Sequence, residues 1–328
     1  MKLKNVVIKG VGAYVPPRRI SNEELSKTVD TSDEWIYSHT GIKNRHIADK
    51  ECATSDMALK SVYNLMESNN IKKEEIGAII VATATQDYIG FPATACIIQE
   101  KLKLKKIPAF DIAAGCTGFI YALEIAKSLI AVGSLESVLV IGCEKLSSIV
   151  DWGDRNTCVL FGDGSGAALV TASEEADSSI IDTVLHAEGS GSSFLSIPEG
   201  GTKTPFQSND TKGRKLQMEG RSVYNFAVRV LGEVVTSLLE RNDLTIDQIQ
   251  WIVPHQANSR IISAAAKRLH IDQSKFFMNI EEYANTSAAS IPIALKEMVD
   301  KNLLHKGQLI MTIGFGAGLT YGGNLIRW

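Results

Sequence analysis

The sequence is 328 residues long, enough for two domains or for one large domain built from two similar halves. Hydrophobic residues make up 45% and charged residues 22% of the chain, a balance that is ordinary for a globular protein. The formal net charge of −3 gives no general reason to expect binding to nucleic acid. No apolar stretch is long enough to cross a bilayer, so we expect no membrane association.

Five cysteines are scattered along the chain without a C-x-x-C pair, and their number is odd. This pattern argues against a disulfide framework and against a thiolate zinc site. The six histidines form no paired metal-binding motif. The first residues run directly into a strand pattern without a signal-peptide core, so we expect a cytoplasmic protein.

Short apolar runs alternate with helical patterns along the chain and predict an α/β protein. Strands are predicted at 6–15, 76–83, 107–112, 137–142, 180–186, 249–255, 308–313 and 321–328. Helices are predicted to begin at the capped segments 21–25 and 31–36 and to cover 54–65, 93–102, 119–132, 223–239, 259–269 and 291–299. Two strands around a glycine-rich turn are predicted for 159–170, a second glycine-rich turn for 314–318, and a polar surface flap for 199–215.

Parts of the chain repeat each other. The segment 75–81 aligns with 248–254, and the glycine-rich segment 161–166 resembles 315–318. Such a repeat predicts a duplicated α/β unit with layered sheets, whose halves are 1–175 and 176–328. A cleft is expected where the halves meet, and catalytic groups from both halves can converge there.

Cys116 lies between the predicted strand 107–112 and the predicted helix 119–132, which is apolar nearly all round and is therefore expected in the interior. Backbone amides and the helix dipole at such a turn favour an anion, so we expect a sulfur shifted toward the thiolate. Gly115 and Gly118 remove side chains that would crowd an approaching group. The alternative is a buried structural cysteine, the usual role of a free cysteine.

Two residues of the second half are candidates to act with Cys116. His255 ends the predicted strand 249–255 and is expected at the mouth of the cleft, the alternative being a strand-end histidine bonded to backbone. Asn285 precedes a helix in a small polar segment, where asparagine is also an ordinary capping or turn residue. These residues by themselves leave both alternatives open.

Taken together, the motifs of the chain resemble those of the β-ketoacyl-acyl-carrier-protein synthase III family. The resemblance implies the thiolase-like fold, in which two fused α/β halves form an α-β-α-β-α layering, and a homodimer that needs no cofactor or metal. The resemblance covers the whole chain. The matching segments are SDEWI at 32–36, DIAAGCTGF at 111–119, FGDG at 161–164, VPHQAN at 253–258, NTSAAS at 285–290 and GFGAGLT at 314–320.

The resemblance also implies a role for each candidate group. Cys116 would take the acyl group of an acyl-CoA primer, expected to be acetyl-CoA, as a covalent thioester. His255 and Asn285 would donate hydrogen bonds to the thioester oxygen of malonyl-acyl-carrier protein while it loses CO2. The backbone amides of Cys116 and Ala317 would form a second oxyanion site. The product is a 3-oxoacyl-acyl-carrier protein, and the reaction initiates fatty acid synthesis.

Binding of CoA is assigned by the same resemblance. Trp35 and Arg155 match the residues that hold the adenine of CoA between them, which is a favourable use of an indole and a guanidinium. His39 stands where relatives often carry an arginine, four residues after the tryptophan. This departure puts the phosphate contacts in doubt.

Carrier-protein and acyl-chain contacts are also expected. Helical spacing gives the predicted helix 259–269 a basic face, which suits an acidic carrier protein, the alternative being a merely solvated face. Asn225 replaces a lysine of some relatives, so this patch is expected to be smaller. The basic face contains Arg260, Lys267 and Arg268, and the acyl pocket is expected to contain Leu146, Phe161 and, across a dimer interface, Phe91.

Asn285 as the third catalytic group, with no cysteine after Cys158, favours the decarboxylating direction over a degradative thiolase. Two other functions stay open. One is a related condensing enzyme that uses the same three residues to make a specialised metabolite or 3-hydroxy-3-methylglutaryl-CoA. The other is a non-catalytic acyl-CoA-binding protein. The length and branching of the primer are not determined by these motifs.

Overall fold

The computed structural model describes residues 3–175, 177–206 and 212–328. Within these ranges no helix is both long and apolar enough to span a membrane. The five cysteines are free, as their spacing predicts. The α/β pattern predicted from the sequence is confirmed, and most helices and strands begin and end within a few residues of their predicted positions.

The strands of the described residues are, in chain order, β1 (Asn5–Tyr14), β2 (Arg19–Ser21), β3 (Asn44–His46), β4 (Ile79–Ala82), β5 (Ala109–Ile112), β6 (Ser137–Glu144), β7 (Gly164–Ser173), β8 (Ser179–Ala187), β9 (Leu195–Ser196), β10 (Gln217–Met218), β11 (Trp251–Pro254), β12 (Leu309–Gly316) and β13 (Thr320–Arg327). The α-helices are α1 (Asn22–Leu25), α2 (Asp33–Thr40), α3 (Thr54–Asn69), α4 (Thr94–Lys101), α5 (Gly118–Ala131), α6 (Arg155–Cys158), α7 (Gly220–Arg241), α8 (Ser259–Leu269), α9 (Ile280–Tyr283) and α10 (Ser290–Asp300).

Two sheets organise the chain. The first has the strand order β1-β7-β6-β4-β5, and the second has the order β11-β12-β13-β8. Strands β4, β5 and β6 pair in parallel, as do β11 and β12, whereas β1, β7, β8 and β13 are antiparallel to their neighbours. Strand β4, in the middle of the parallel strands, is buried on both faces, which explains why it reads as a continuous apolar run.

Helices cover the outer faces of both sheets and fill the space between them. Side chains alternate along a strand, so Ile79 and Val81 face a cluster with α3 and α4, whereas Ile80 and Ala82 face the interior. The interior cluster contains residues of α5 and α10 and joins the two sheets. A further cluster packs α7 and α8 on the far side of the second sheet. This is the predicted α-β-α-β-α layering.

The two halves of the chain each supply one sheet. All strands of the first sheet lie before residue 174, and all strands of the second sheet lie after residue 178. In both halves a short 3-10 turn, Lys73–Glu75 or Ile246–Gln248, leads into the repeated parallel strand. The division at 175/176 stays a prediction, because residue 176 lies outside the described residues.

The glycine-rich segments were expected to be turns, and in part this expectation is wrong. Within 159–170 the structure has one strand, β7, which begins at Gly164, and residues 159–163 form a turn and an isolated bridge, not a first strand. Gly164 and Gly166 lie within β7. Position 166 requires glycine because a Cβ atom there would meet Pro292 of α10 at 2.5 Å. Gly314 and Gly316 likewise lie within β12, and only the segment beyond Gly316 turns. These glycines let neighbouring segments of the chain pack closely against β7 and β12. They do not reverse the direction of the chain.

The predicted surface flap 199–215 lies partly outside the described residues, since 207–211 are not among them. Of the rest, residues 199–206 form no strand or helix, and a short 3-10 turn covers Lys212–Arg214. Beyond it, β10 pairs with β9 and leads into α7. This small ribbon places Leu195 and Met218 near the junction of the two halves.

Gly142 gives a test of this close packing. A Cβ atom at Gly142 would meet the backbone oxygen of Ala288 at 2.2 Å, and backbone of the second half cannot easily move away. We expect Gly142→Ala to lower the free energy of unfolding by about 1–3 kcal/mol, the range of overpacking substitutions. Urea titration followed by circular dichroism measures this change.

Gly189→Ala is the matched control, since nothing lies within 4 Å of the added atom and its φ is not left-handed. We expect it to leave stability nearly unchanged. Equal midpoints for the wild type and the Gly142→Ala variant would contradict the close contact between the halves.

Candidate active site

Cys116 lies on a 3-10 turn, Gly115–Thr117, that joins β5 to the start of α5. Gly115 has a φ of +53°, and its position beside Ala317 leaves little room for a side chain. From the other half, β12 approaches so closely that a Cβ atom at Gly316 would lie 2.8 Å from the Cys116 backbone nitrogen. The cysteine therefore lies where the two halves touch, as the motif predicts.

The turn is fastened to the second half by hydroxyl groups. Thr117 donates from its Oγ1 to the Thr320 carbonyl oxygen at 3.1 Å. Thr320 Oγ1 lies 2.9 Å from the Ala114 carbonyl oxygen, which it can donate to in return. These contacts satisfy polar groups that would otherwise be buried without partners.

The expected shift of Cys116 toward the thiolate is wrong for this structure. Burial raises the pKa of its thiol to about 11, and the nearby Glu144 carboxylate also acts to raise it. The contact with the Ser287 hydroxyl and hydrogen bonds from the amides of Cys116 and Ala317 act to lower the pKa. The loss of water outweighs the polar groups of the turn, so the sulfur rests as a thiol at neutral pH.

His255 follows β11 and donates its backbone N–H to the Ile313 carbonyl oxygen of β12 at 2.7 Å. Its Nδ1 lies 2.7 Å from Ser290 Oγ, which also accepts the Gln256 backbone N–H at 3.4 Å. Because Ser290 Oγ already accepts that N–H, its own proton is available for Nδ1. We therefore assign the remaining imidazole proton to Nε2, which makes that nitrogen a hydrogen-bond donor.

Burial lowers the pKa of His255 to about 3, from an ordinary value of 6.5. The ring is therefore neutral at physiological pH, and Phe315 packs edge-on against it with ring centroids 5.4 Å apart. Between these two pH values the unfolded chain binds a proton at His255 and the folded chain does not. This group therefore makes the fold less stable as the pH falls from about 6.5 to about 3.

Asn285 is held by backbone contacts with the first half. Its N–H donates to the Leu160 carbonyl at 2.9 Å, and its carbonyl accepts from the Gly162 N–H at 3.0 Å. The Ser287 backbone N–H donates to Asn285 Oδ1 at 2.9 Å. Since Oδ1 accepts this hydrogen bond, the Nδ2 group is the part of the side-chain amide that can donate to a substrate in the cavity. Ala284 precedes it with a φ of +56° and ψ of −158°, a conformation that strains a residue with a Cβ atom.

The three predicted catalytic side chains line one cavity of about 150 Å³. Besides these three, Tyr224 and Asn258 carry polar groups into the lining, and the walls are mostly apolar. Both donors, His255 Nε2 and Asn285 Nδ2, belong to the second half, and the sulfur belongs to the first. The walls include Leu160, Phe161, Leu195, Met218, Val223 and Phe315.

The expected acyl-pocket residues are only partly brought together. Phe161 lines the cavity. Leu146 is buried in the hydrophobic cluster that also contains Phe161, without lining the cavity itself. Phe91 is 87% exposed on the loop before α4, away from the cavity of its own chain. Met218 and Val223 also line the cavity, although nothing in their local sequence pattern indicates a cavity wall.

Trp35 and Arg155 contact each other directly, whereas the resemblance implies that they hold an adenine between them. The Arg155 guanidinium lies 4.9 Å from the centroid of the Trp35 ring, and it also donates to the Asp30 carbonyl oxygen at 3.0 Å. His39 stacks on the same indole with ring centroids 4.5 Å apart. The indole therefore contacts both Arg155 and His39, and no gap for a base lies between the Trp35 and Arg155 side chains.

The basic residues of α8 are exposed, whereas Ile261, Ile262 and Ala265 on its other face are buried. Asn258 caps this helix by accepting the Arg260 N–H at 2.8 Å, and its Nδ2 donates to the His39 carbonyl at 3.1 Å. The start of α8 is thereby tied to the end of α2, which carries Trp35. The exposed basic residues are Arg260, Lys267 and Arg268.

Two polar groups that the sequence analysis missed lie beside the sulfur. Ser287 hydrogen-bonds Cys116 with its side chain, and Glu144 accepts from the Ser287 hydroxyl at 3.1 Å. Within the described residues, no three His, Cys, Asp or Glu side chains are grouped closely enough to hold a metal ion. The chemistry of the cavity thus rests on a thiol, an imidazole, an amide and a buried carboxyl group.

We expect His255 to stay neutral between about pH 5 and pH 8, because its ring is buried without an acidic partner. Ring-proton chemical shifts in two-dimensional NMR of histidine-labelled protein measure this, and His255→Gln identifies the signal. A titration of the His255 signal with a midpoint near the ordinary histidine value would contradict the assignment of a neutral donor.

Comparison with known proteins places these groups in a family. Two family models match the chain: 3-oxoacyl-[acyl-carrier-protein (ACP)] synthase III over residues 110–189, and its C-terminal counterpart over residues 239–328. The first range contains Cys116, and the second contains both His255 and Asn285. All three side chains of the cavity therefore lie in matched regions.

Whole-chain relatives agree. The chain is 48% identical to β-ketoacyl-[acyl-carrier-protein] synthase III of Caldanaerobacter subterraneus, covering 98% of this chain and 97% of that one. It is also 48% identical to the synthase III of Clostridium novyi, with 99% of both chains covered. The crystal structure of 3-oxoacyl-[acyl-carrier-protein] synthase III from Aquifex aeolicus superposes with a TM-score of 0.90 at 45% identity, covering 98% of this chain and 100% of that one.

These similarities confirm the predicted thiolase-like α/β fold and the predicted condensing acyltransferase of fatty acid synthesis. Several independent relatives and both family models give the same result over nearly the full length. The chain belongs to the 3-oxoacyl-[acyl-carrier-protein] synthase III family.

Proposed function

We propose that this protein condenses an acyl-CoA primer with malonyl-acyl-carrier protein and releases CoA and CO2. The observation that carries this proposal is the shared cavity, in which one thiol faces two neutral hydrogen-bond donors. A thiol suits exchange with a thioester, and two neutral donors suit an oxygen that gains negative charge. The primer is proposed to be acetyl-CoA.

In the first half-reaction, the Cys116 sulfur attacks the thioester carbonyl of the primer and CoA leaves as a thiolate. The carbonyl oxygen becomes an oxyanion, for which the amides of Cys116 and Ala317 are proposed as donors. Both amides lie at the sulfur, where the two halves touch. The cavity is small and largely apolar, which keeps water from the acyl-enzyme.

In the second half-reaction, malonyl-acyl-carrier protein loses CO2 and leaves an enolate on its thioester. His255 Nε2 and Asn285 Nδ2 are proposed to donate to the enolate oxygen. Their other polar atoms are held by Ser290 and by the Ser287 N–H, so both donors are fixed before the charge develops. The enolate carbon then attacks the acyl group on Cys116.

Trp35 and Arg155 are proposed to bind the adenine of CoA. Because the Arg155 guanidinium already lies on the indole, adenine must displace it before both groups can stack on the base. Arg155 is exposed and can swing outward. His39 keeps its stacking contact with Trp35 and is proposed to orient the indole, not to bind phosphate.

The basic face of α8 is proposed to bind the acidic carrier protein. Arg260, Lys267 and Arg268 are exposed on the helix that follows the His255 loop, so a phosphopantetheine arm delivered there is near the cavity. Ala257, Asn258 and Ile261 line the cavity and connect it to this helix. Asn225 on α7 is exposed and adds no charge.

A homodimer is proposed to form along β5. This strand is the edge of the first sheet, and its residues are only half-buried. An uncovered edge strand invites pairing with a second copy of the chain. The neighbouring loop exposes Tyr88, Ile89 and Phe91, and this apolar surface would be covered in such a dimer. Phe91 is proposed to reach the acyl pocket of the partner.

The competing functions are less well supported. A priming β-ketosynthase of the R1128 polyketide pathway matches at 31% identity, below the 44–48% of the synthase III relatives. A non-catalytic binding protein would not need His255 and Asn285 fixed as donors beside a thiol. We therefore place fatty acid initiation first.

We expect the protein to gain the mass of an acetyl group on Cys116 when it is incubated with labelled acetyl-CoA. Cys116→Ser should lose this acylation, since a serine is a far weaker nucleophile at neutral pH. Mass spectrometry of the intact protein and of its peptides locates the group. A wild-type protein that binds acetyl-CoA without a mass gain would indicate a binding protein.

His255→Ala and Asn285→Ala separate the two half-reactions. We expect both variants to become acylated but to lose decarboxylation of malonyl-acyl-carrier protein by about a hundredfold or more, because one donor to the enolate oxygen is removed. Release of labelled CO2 is the measurement. Near wild-type decarboxylation in both variants would show that the roles are assigned wrongly.

Charge reversal on α8 tests the carrier-protein surface. We expect Arg260→Glu combined with Lys267→Glu to raise KM for malonyl-acyl-carrier protein about tenfold, since exposed ion pairs contribute up to about 1 kcal/mol each. Acylation by acetyl-CoA should be unchanged. Lys73→Glu is the control, because Lys73 is exposed in the 3-10 turn before β4, at the opposite end of the sheet from Glu144. Equal effects of both charge changes would contradict docking on α8.

A further inference from the structure

Glu144 is a buried carboxyl group that the mechanism above does not use. It is the last residue of β6, it is fully buried, and it lies beside the cavity that contains Cys116. Burial raises its pKa to about 7, against an ordinary value of 4.5. A carboxyl group removed from water and left beside a nucleophile needs a physical reason.

Glu144 accepts hydrogen bonds from three hydroxyl groups and one amide. Thr85 Oγ1 donates at 2.7 Å, Thr83 Oγ1 at 3.3 Å, and the Ala84 N–H at 3.1 Å. Ser287 Oγ of the second half donates at 3.1 Å. Four donors around one side chain match an ionised carboxylate.

Two of the three hydroxyl groups are also hydrogen-bonded to backbone amides. Thr83 Oγ1 accepts the Thr85 N–H at 3.1 Å, and Thr85 Oγ1 accepts the Lys145 N–H at 2.8 Å. Each of these hydroxyls accepts from a backbone amide and donates its own proton to Glu144, and neither contacts the sulfur. Within residues 3–175, 177–206 and 212–328, no backbone N–H donates to the Ser287 hydroxyl, whose other contact is the Cys116 sulfur.

We propose that Ser287 and Glu144 form a proton relay, in which Glu144 takes the Cys116 proton during acylation and returns it after condensation. In the resting enzyme the Cys116 S–H donates to Ser287 Oγ, and Ser287 donates to the Glu144 carboxylate. After transfer, the protonated Glu144 donates to Ser287 Oγ, and Ser287 donates to the sulfur. Of the three hydroxyl groups that contact Glu144, the one that also contacts the Cys116 sulfur is that of Ser287.

The relay balances over the whole reaction. During acylation the new S–C bond forms, the primer C–S bond breaks, the thiol proton moves through Ser287 to Glu144, and the CoA thiolate takes a proton from water. During condensation the new C–C bond forms and the Cys116 S–C bond breaks. The released sulfur then recovers its proton from Glu144, and one proton from water is consumed overall.

Other ionisable groups near Glu144 are held by partners of their own. Asp87 accepts the Ser55 N–H, Asp163 accepts the N–H groups of Ala48 and Ser147, and Cys143 donates to the Thr54 carbonyl oxygen. Lys145 Nζ donates to three backbone carbonyls, those of Asp49, Lys50 and Cys52. His255 opposite the sulfur is neutral, with its ring proton assigned to Nε2. Glu144 is therefore the group placed to receive the proton.

The test is the pH dependence of single-turnover acylation by acetyl-CoA, measured by rapid quenching and mass spectrometry. It rests on the proposed function, because an acyl-enzyme must form. In the wild type we expect the rate to rise with pH and level off above about pH 7, where Glu144 is ionised. Ser287→Ala and Glu144→Gln should lower the rate at pH 7 about tenfold to a hundredfold.

Both variants should also change the shape of the profile. Without the relay the thiol must ionise directly, so the rate should climb about tenfold per pH unit with no plateau near pH 7. The double variant should lose little more than either single variant, since the two residues act as one unit. Decarboxylation of malonyl-acyl-carrier protein should be retained, because the Ser287 backbone N–H still holds Asn285.

Thr85→Val is the matched control, since it removes a donor to the carboxylate and leaves the relay intact. We expect its profile to keep the plateau and to shift to higher pH. Unchanged profiles in Ser287→Ala and Glu144→Gln would overturn the relay, as would an equal loss of acylation and decarboxylation. Failure of the wild type to form an acyl-enzyme would instead overturn the proposed function.

Discussion

The active site depends on the contact between the Cys116 turn and the hairpin of β12 and β13. Gly115 and Gly316 let the two backbones approach, and Thr117 and Thr320 fasten them through hydroxyl groups. Without this contact the sulfur would lie on one half of the molecule and its partners on the other. The glycines are therefore required by backbone proximity, because any side chain there would separate the halves.

Burial at this contact decides how the functional groups are charged. The same loss of water raises the pKa of Cys116 and Glu144 and lowers the pKa of His255. All three changes favour the neutral form of a group. A neutral imidazole with its proton on Nε2 is a suitable donor to a developing enolate, whereas a thiol that rests protonated needs a place for its proton. Burial therefore suits the donor role of His255 but leaves the Cys116 thiol in need of a proton acceptor.

Polar groups behind the three cavity side chains hold their protons and donors in place. Ser290 fixes the His255 proton, the Ser287 N–H fixes the Asn285 amide, and the Ser287 hydroxyl connects the sulfur to Glu144. Ser287 therefore serves two groups through different atoms. Its backbone, with a φ of +50°, follows closely after the strained Ala284, so this segment holds unfavourable conformations that the surrounding packing maintains.

The local pattern of the sequence determined the elements and the identity of the three principal side chains. Apolar runs located β4, β6 and β11, and the motifs around Cys116, His255 and Asn285 identified the family, because such features depend on neighbouring residues alone. Only the tertiary structure decided that the glycines of β7 and β12 lie within strands, that Cys116 rests as a thiol, and that Glu144 faces Ser287. The reason is that desolvation and close approach arise from residues more than a hundred positions apart, which no local pattern records.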